Sequence, residues 1–555
     1  MDNPRIYLWI ALALLVWANV IQWNHDYGSG APAAADGPEQ ATPAVSEAAQ
    51  SETQLPALPT GTAEPSPGTA TPEQGPPQAQ IRVRTDVLDL AISLQGGTLV
   101  RADLPTYPRD RKKDSPPVRL LSTDDANYHV VRSGLRAAGG GAEPTHLATF
   151  SSPAQEYSLA AGQDELRVPL SWTNGQGVSV TKTFVLRRGS YAIGVEYAVQ
   201  NASAAPWQAA SYVQFARHIY SQKRSMFDVE SYAYRGPAIY DGDKYRKLDV
   251  TDEDEAAYTQ TFANGWMAEM QHHFVTAAVP PAGQSYDFTL APENGHSVIS
   301  YRGPLETVPA GGTARFEETL FVGPKLQEQL KAVGPRLELT ADYGKLTILS
   351  QPLFWLLQKV HGLVGNWGWA IIIVTILLKL LFYKLTETSG RSMAKMRTIA
   401  PRIKNIQERY KDDREQLARQ MMEVYKREKI NPVAGCLPIL VQIPVFLAFY
   451  WVLLESVEMR QAPWMLWIQD LSSRDPYFVL PALMGAAMFG QFKLNPAPPD
   501  PMQAKIFAFM PVVMTVMMAW FPAGLVLYWL TNTLLSIAQQ WNINRVVEAE
   551  AKKRG

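Results

Sequence analysis

Hydrophobic and polar positions alternate with a period of two from Ile81 to about Val322. Leu88, Leu90, Ile92 and Leu94 alternate with polar or small residues and then meet a Gly96-Gly97 turn. Leu166, Val168, Leu170 and Trp172 behave likewise, "NGQG" follows, and Val178, Val180, Phe184 and Leu186 come after it, which predicts a hairpin. Ile193, Val195, Tyr197 and Val199 predict another strand. Many short strands punctuated by Gly, Asn and Pro predict a large antiparallel β-sandwich over 81–325. Beyond Leu326 the period becomes helical. An amphipathic connector (326–365) leads to apolar runs at 366–383, 437–455, 477–492, 506–521 and 523–541.

A sixth apolar run, Ile6 to Trp23, is close to the ~20 residues that cross a bilayer. Its length exceeds the usual ~7–15 residue core of a signal peptide, and the nearest small-residue site, "APAAA", lies beyond a polar spacer. An uncleaved anchor over 1–27 is therefore expected, with a cleaved signal peptide as the alternative. Residues 28–80 are rich in Ala, Pro, Gly, Ser and Thr, a composition that cannot offset its ordering entropy by burial. A disordered tether is expected there.

Charge orients the spans. Between Lys384 and Lys429 stand 13 Lys/Arg against 7 Asp/Glu, which marks a cytoplasmic loop. The stretch from Glu455 to Asp475 holds two arginines and four acids, as expected outside, and the tail from Arg545 carries four basic and two acidic residues. Six spans then place both termini, including the basic tail 546–555, in the cytoplasm and the sandwich on the other side. Within the basic loop (384–430), Met393, Met396, Ile399, Ile403, Ile406 and Tyr410 recur at helical spacing, as do Leu417, Met421 and Val424. Two antiparallel amphipathic helices, a short coiled-coil hairpin, are predicted, with Pro401 kinking or breaking the first.

Catalytic signals are scarce. The net charge of the 555 residues is −1, so no bulk field selects DNA or an acidic partner. One cysteine, Cys436, excludes a disulfide framework and a thiolate metal cluster. His272 and His273 are adjacent, a poor spacing for a shared metal; the acidic run 249–255 lacks the glycine of an EF-hand loop; and no P-loop lysine motif occurs. No metal, cofactor or enzymatic activity is expected. The informative residues are polar ones inside the apolar runs. Lys379 lies about five residues, roughly 7 Å, from the cytoplasmic end of its helix. Either its stem snorkels to the headgroups or its amine faces a water-filled cavity between helices. Thr375 is one turn earlier, and Gln442, Thr515, Asn532, Thr533 and Ser536 in other runs could share such a cavity or simply bond to neighbouring helices.

"GNWGWAIIIVTILLK", "SMAKMR", "INPVAGCLPILVQIPVFLAFYWVL", "SVEMRQAPWMLWIQDLS", "DPMQAKIFAFMP" and "WFPAGLVLYWLTN" closely resemble the YidC/Oxa/Alb family of membrane-protein insertases in its Gram-negative form. "TDVLDLAISLQGGTLVRADLP" and "GWMAEMQHHF" match more loosely. The resemblance implies a polytopic inner-membrane protein whose five core helices enclose a hydrophilic groove open to the cytoplasm, plus a periplasmic β-supersandwich. It places the groove cation at Lys379, where the family usually has arginine, and lines the groove with Thr375 and Gln442. Ile443, Pro444, Tyr528 and Trp529 match positions near nascent chains. Lys384 follows Tyr383 where the family often has proline. The function implied is ATP-independent insertion of nascent membrane proteins, alone or with the Sec translocon. The hairpin and basic tail would meet the ribosome, signal-recognition machinery or anionic lipid, and no DNA. A channel or transporter and a translocon assembly scaffold are rival readings; no internal repeat or midplane ion site supports the transporter. A carbohydrate-active β domain is a further rival, without an identifiable carboxylate pair.

Overall fold

The computed structural model describes residue 56 and residues 79–139, 141–220, 233–252, 257–410, 413–428, 437–494 and 501–552. The expected N-terminal span, nearly all of the tether, the acidic residues 253–255 and Cys436 lie outside the described residues.

The alternating segment folds into an 11-stranded and an 8-stranded sheet. The smaller sheet runs from Tyr245–Lys247 through Gly236–Tyr240, Trp266–Met270, Phe274–Val279, Thr313–Pro324, Ala192–Asn201 and Val178–Arg187 to Glu165–Thr173, every pairing antiparallel. The larger sheet departs from the antiparallel expectation at one edge, where Gln80–Arg84 pairs in parallel with Glu156–Ser158. The predicted hairpin is present in register, Val168 opposite Phe184 and Trp172 opposite Val180. Its eight pattern residues are all buried, because a period of two puts alternate side chains on the core face. Tyr197, Tyr301, Trp266, Phe288 and Phe321 fill one continuous core between the sheets.

Lys182 occupies an inward position of the same hairpin and is fully buried. Its Nζ donates to Gly96 O at 2.8 Å, Ser133 O at 2.9 Å and Gly97 O at 3.1 Å. Gly97 must be glycine for this seat: its φ is +59°, and a Cβ there would stand 2.9 Å from Leu170 Cδ1 and 3.1 Å from Lys182 Nζ.

The helical region comprises α1 (Gln327–Val333), α2 (Thr347–Val364), α3 (Trp367–Leu381), α4 (Tyr383–Arg409), α5 (Arg414–Arg427), α6 (Leu437–Glu455), α7 (Val479–Leu494), α8 (Pro501–Met518) and α9 (Ala523–Lys552). Pro438 and Pro481 lie in first turns, where the missing N–H has no intrahelical acceptor, and Pro522 directly precedes α9. Pro444 and Pro401 sit inside α6 and α4 without ending either helix. The true break is at Phe382, where α3 and α4 diverge by 69°. Among the described residues no single helix is long and apolar enough to cross a membrane, although this bent pair passes that test together.

The sandwich and the helices dock through the loop that follows α6. His272 and His273 stack at 3.8 Å, and both rings place Nε2 near Leu454 O, at 3.0 and 3.2 Å. They thereby occupy a carbonyl that α6 leaves open at its C-terminal end. Tyr343 OH reaches Ser456 Oγ at 3.3 Å, and the Arg460 guanidinium donates to Pro108 O and Arg109 O, each at 2.9 Å.

Candidate functional site

Helix α3 begins with a side-chain cap: Asn366 Oδ1 accepts from Trp369 N, while Asn366 Nδ2 donates to Pro463 O and Trp464 O. The remainder of α3 is apolar except for Thr375 and Lys379. Lys379 sits in the last turn, where the open carbonyls of the helix favour a cation. Its Nζ donates to Ser536 Oγ of α9 at 2.8 Å. Ser536 in turn donates to Asn532 O one turn earlier, and Asn532 Oδ1 accepts from Gln442 Nε2 of α6 at 2.8 Å. The chain Lys379–Ser536–Asn532–Gln442 thus ties α3, α9 and α6 together through polar groups. An ammonium has three donors, and among the described residues Lys379 uses one.

Lys379, Asn532 and Gln442 border a cavity of about 30 Å³, room for about two waters. Thr375, Lys379, Gln442, Tyr528 and Asn532 form its polar side; Leu378, Phe382, Leu385 and Val445 form its apolar side. Thr375 is buried, and its hydroxyl donates to Ile371 O of its own helix. Tyr528 stacks on Phe446 at 6.0 Å, and Trp529 meets the same ring edge-on at 4.6 Å. Ile443 is exposed and Pro444 half-buried, one turn along α6 from that aromatic group.

Two predicted lining residues stand elsewhere. Thr515 donates to Pro511 O within α8 and packs against Gly485 of α7, where a Cβ would come within 1.9 Å of its hydroxyl. Thr533 is buried beside Asn532 but does not line the cavity. Sequence reasoning missed Thr386, which lines the cavity from α4 and accepts from Gln539 Nε2 at 2.7 Å. The signal was available in α9: Asn532, Ser536 and Gln539 recur at steps of four and three, which places them on one face of the helix.

Helices α4 and α5 pack against each other. Met396, Ile399 and Ile403 of α4 pack with Met421, Val424 and Tyr425 of α5. Met393, Ile406, Tyr410 and Leu417 are half-buried. Asp413 caps α5 by accepting from Glu415 N and Gln416 N, and Arg402 of α4 pairs with Glu428 at 3.1 Å. Ala394 seats the base of α4 against Ile543 and Val547 of α9. Among the described residues no group of three or more His, Cys, Asp or Glu stands close enough to hold a metal.

Residues 80–356 match the family model of the YidC periplasmic domain, and residues 359–551 match that of the 60Kd inner membrane protein. A membrane protein insertase YidC of Thioalkalivibrio sulfidiphilus is 48% identical over the full length of both chains, and one of Stutzerimonas stutzeri is 45% identical, again over both full lengths. The chain belongs to the YidC family of membrane protein insertases. A solved structure of an active YidC insertase with its first transmembrane domain resolved covers 84% of this chain and 92% of its own, at 17% identity and a TM-score of 0.37. The assignment therefore stands on the sequence relatives. YidC insertases are inner-membrane proteins that carry a periplasmic domain and act on nascent membrane proteins.

Proposed function

We propose that the notch around Lys379 is where an incoming chain is received, and that the protein inserts hydrophobic segments from the cytoplasmic side without hydrolysing ATP or forming a covalent intermediate. The observation that carries this reading is an ammonium between the helices that, among the described residues, has two donors to spare. A polar flank bearing acidic residues enters beside Lys379, exchanging water for the ammonium and for the amides of Gln442 and Asn532. The apolar segment passes the Phe446–Tyr528–Trp529 wall, with Ile443 and Pro444 on the open side, and moves into lipid. Apolar burial at ~25 cal/mol per Å² supplies the driving force.

In this reading the N-terminal apolar run, α3, α6, α7, α8 and the first part of α9 are six spans. Both chain ends face the cytoplasm and the sandwich faces the periplasm. Helix α3 has 15 residues, about 22 Å at 1.5 Å each, against a ~30 Å hydrocarbon core. Helices this short favour a locally thinned bilayer, which shortens the path for the polar flank. The α4–α5 hairpin and the basic tail would receive substrate from the ribosome and signal-recognition machinery, and the Sec translocon would be a partner for larger substrates.

The test replaces Lys379 with Ala and with Arg and measures insertion of a small acidic-tailed membrane protein into proteoliposomes holding no other component. Loss of about tenfold with Ala, a difference of ~1.4 kcal/mol, and retention with Arg are expected. Unchanged insertion with Ala removes the cation from the mechanism. Crosslinking from Gln442 and Trp529 to a stalled nascent chain checks the path.

A further inference from the structure

Where the loop after α6 meets the sandwich there is a cavity of about 630 Å³, and Arg109, Arg111, Arg235, Arg460 and Arg474 line it. Its acidic lining residues are Asp110 and Asp470. Asp470 is already committed, because its carboxylate accepts from Gln461 N, Ser472 N and the hydroxyls of Ser472 and Ser473. His272 and His273 face the same space; burial pushes His273 down to about 4 and His272 well down, so both add neutral rings. The cavity is therefore a cationic chamber.

The arginines are not equivalent. Arg460 is engaged with backbone carbonyls, and Arg111 reaches Gln469 Oε1 at 3.3 Å. Arg109 and Arg235 are exposed and make no side-chain hydrogen bond or ion pair among the described residues. Both also line an adjoining cavity of about 410 Å³, where Arg119 and Arg217 are by contrast paired with Asp103 and Glu269. Uncompensated charge thus concentrates where the two cavities meet.

Beside the larger cavity, apolar groups stand in the open. Trp467 forms part of its wall and lies 6.4 Å from Tyr477. Tyr477, Phe478 and Leu466 are exposed, and α7 starts at the next residue, Val479. Aromatic side chains flanking an apolar helix are the pattern of a membrane–water interface. Guanidinium forks at that level match phosphate oxygens, and a chamber of this size suits a small polar headgroup.

We propose that this chamber binds the phosphodiester headgroup of an anionic phospholipid of the periplasmic leaflet, with Arg109 and Arg235 as its principal ligands. The leaflet follows from the orientation proposed above; the phosphate chemistry does not. A lipid held there joins the sandwich, the loop after α6 and the bilayer at one point, so lipid composition reaches the docking of the sandwich onto the helices.

The experiment measures retention of short-chain phosphatidylglycerol by the purified full-length protein, using native mass spectrometry. Phosphatidylcholine of the same chain length and inorganic phosphate are parallel probes. Phosphatidylglycerol should bind more tightly than either, and the double substitution Arg109→Gln, Arg235→Gln should weaken it about 25-fold, at about fivefold per arginine. An unchanged unfolding midpoint verifies the fold, and Arg474→Gln alone should give the smaller, single-residue loss. The proposal is overturned by equal retention of phosphatidylglycerol and phosphatidylcholine, or by wild-type retention in the double variant. Free phosphate binding as tightly as the lipid overturns it too, and so does an acidic peptide that displaces the lipid at lower concentration. No substrate is present, so a negative result leaves the Lys379 reading standing, and a negative Lys379 result leaves this one standing.

Discussion

Each half of the molecule holds a lysine among apolar neighbours, Lys182 fully buried and Lys379 half-buried, and the two are treated oppositely. In the sandwich, Lys182 meets three carbonyl oxygens, one for each donor of its ammonium, and three aromatic rings within 6 Å. Burial pulls its amine down to about 7, while the carbonyls and ring faces favour the cation. Nothing is left over for a ligand. In the helical region, Lys379 meets one serine hydroxyl and the edge of a small cavity. A saturated cation is part of the scaffold; an unsaturated one, held between apolar helices, is available to an incoming acceptor. Burial alone therefore does not mark a functional lysine. In the function proposed above, the number of donors left open among the described residues does.

The largest test of this contrast is Lys182→Met. It would leave the carbonyls of Gly96, Gly97 and Ser133 without their partner, and at ~1–3 kcal/mol for each unsatisfied group the sandwich should lose at least ~3 kcal/mol in denaturant unfolding. Lys379→Met should cost at most ~1.5 kcal/mol of stability, because one hydrogen bond to a neutral hydroxyl is lost. Equal losses would erase this distinction.

Next in size is the junction between the halves. His273 is held at about 4, below the unfolded value near 6.5, so the unfolded state binds more protons in that window. Stability from this group is complete above pH 6.5 and declines as pH falls toward 4, reaching a loss of ~2 kcal/mol at pH 5. Glu318 works in the opposite sense, raised to about 7 by burial, so the whole-protein profile mixes both signs. The difference between wild type and His273→Gln isolates the histidine: the variant should lack that acid-side loss. Parallel profiles would remove His273 from the docking.

The smallest expected effect concerns Ser536. Ser536→Ala frees the third donor of Lys379 and should weaken insertion by threefold or less, ~0.6 kcal/mol, measured beside Lys379→Ala. An effect as large as that of Lys379→Ala would mean the serine, rather than the open donors, carries the role.

Much of this arrangement could be read from the chain. Alternation at Leu166–Trp172 and Val178–Leu186 determined the hairpin, its register and its buried face, because a pleated strand offers only two sides. Helical spacing determined the packed faces of α4 and α5, and the shared face of Asn532, Ser536 and Gln539 was present in the spacing of α9. The change of period near Leu326 set the division between a sandwich and an apolar helical region. The tertiary structure decided everything that depends on residues far apart in sequence. Lys182 sits in the inward series of its strand as an apparent violation, and carbonyls 49, 85 and 86 residues away make it tolerable. Lys379 and Ser536 are 157 residues apart, and the arginine chamber joins Arg109 to a loop about 350 residues later. Thr515 has the same polar character as Thr375 but turns toward Gly485, since which face of a helix meets which neighbour is set by packing. Local pattern fixes period and face. The partners that satisfy a buried charge are supplied only when distant segments close around it.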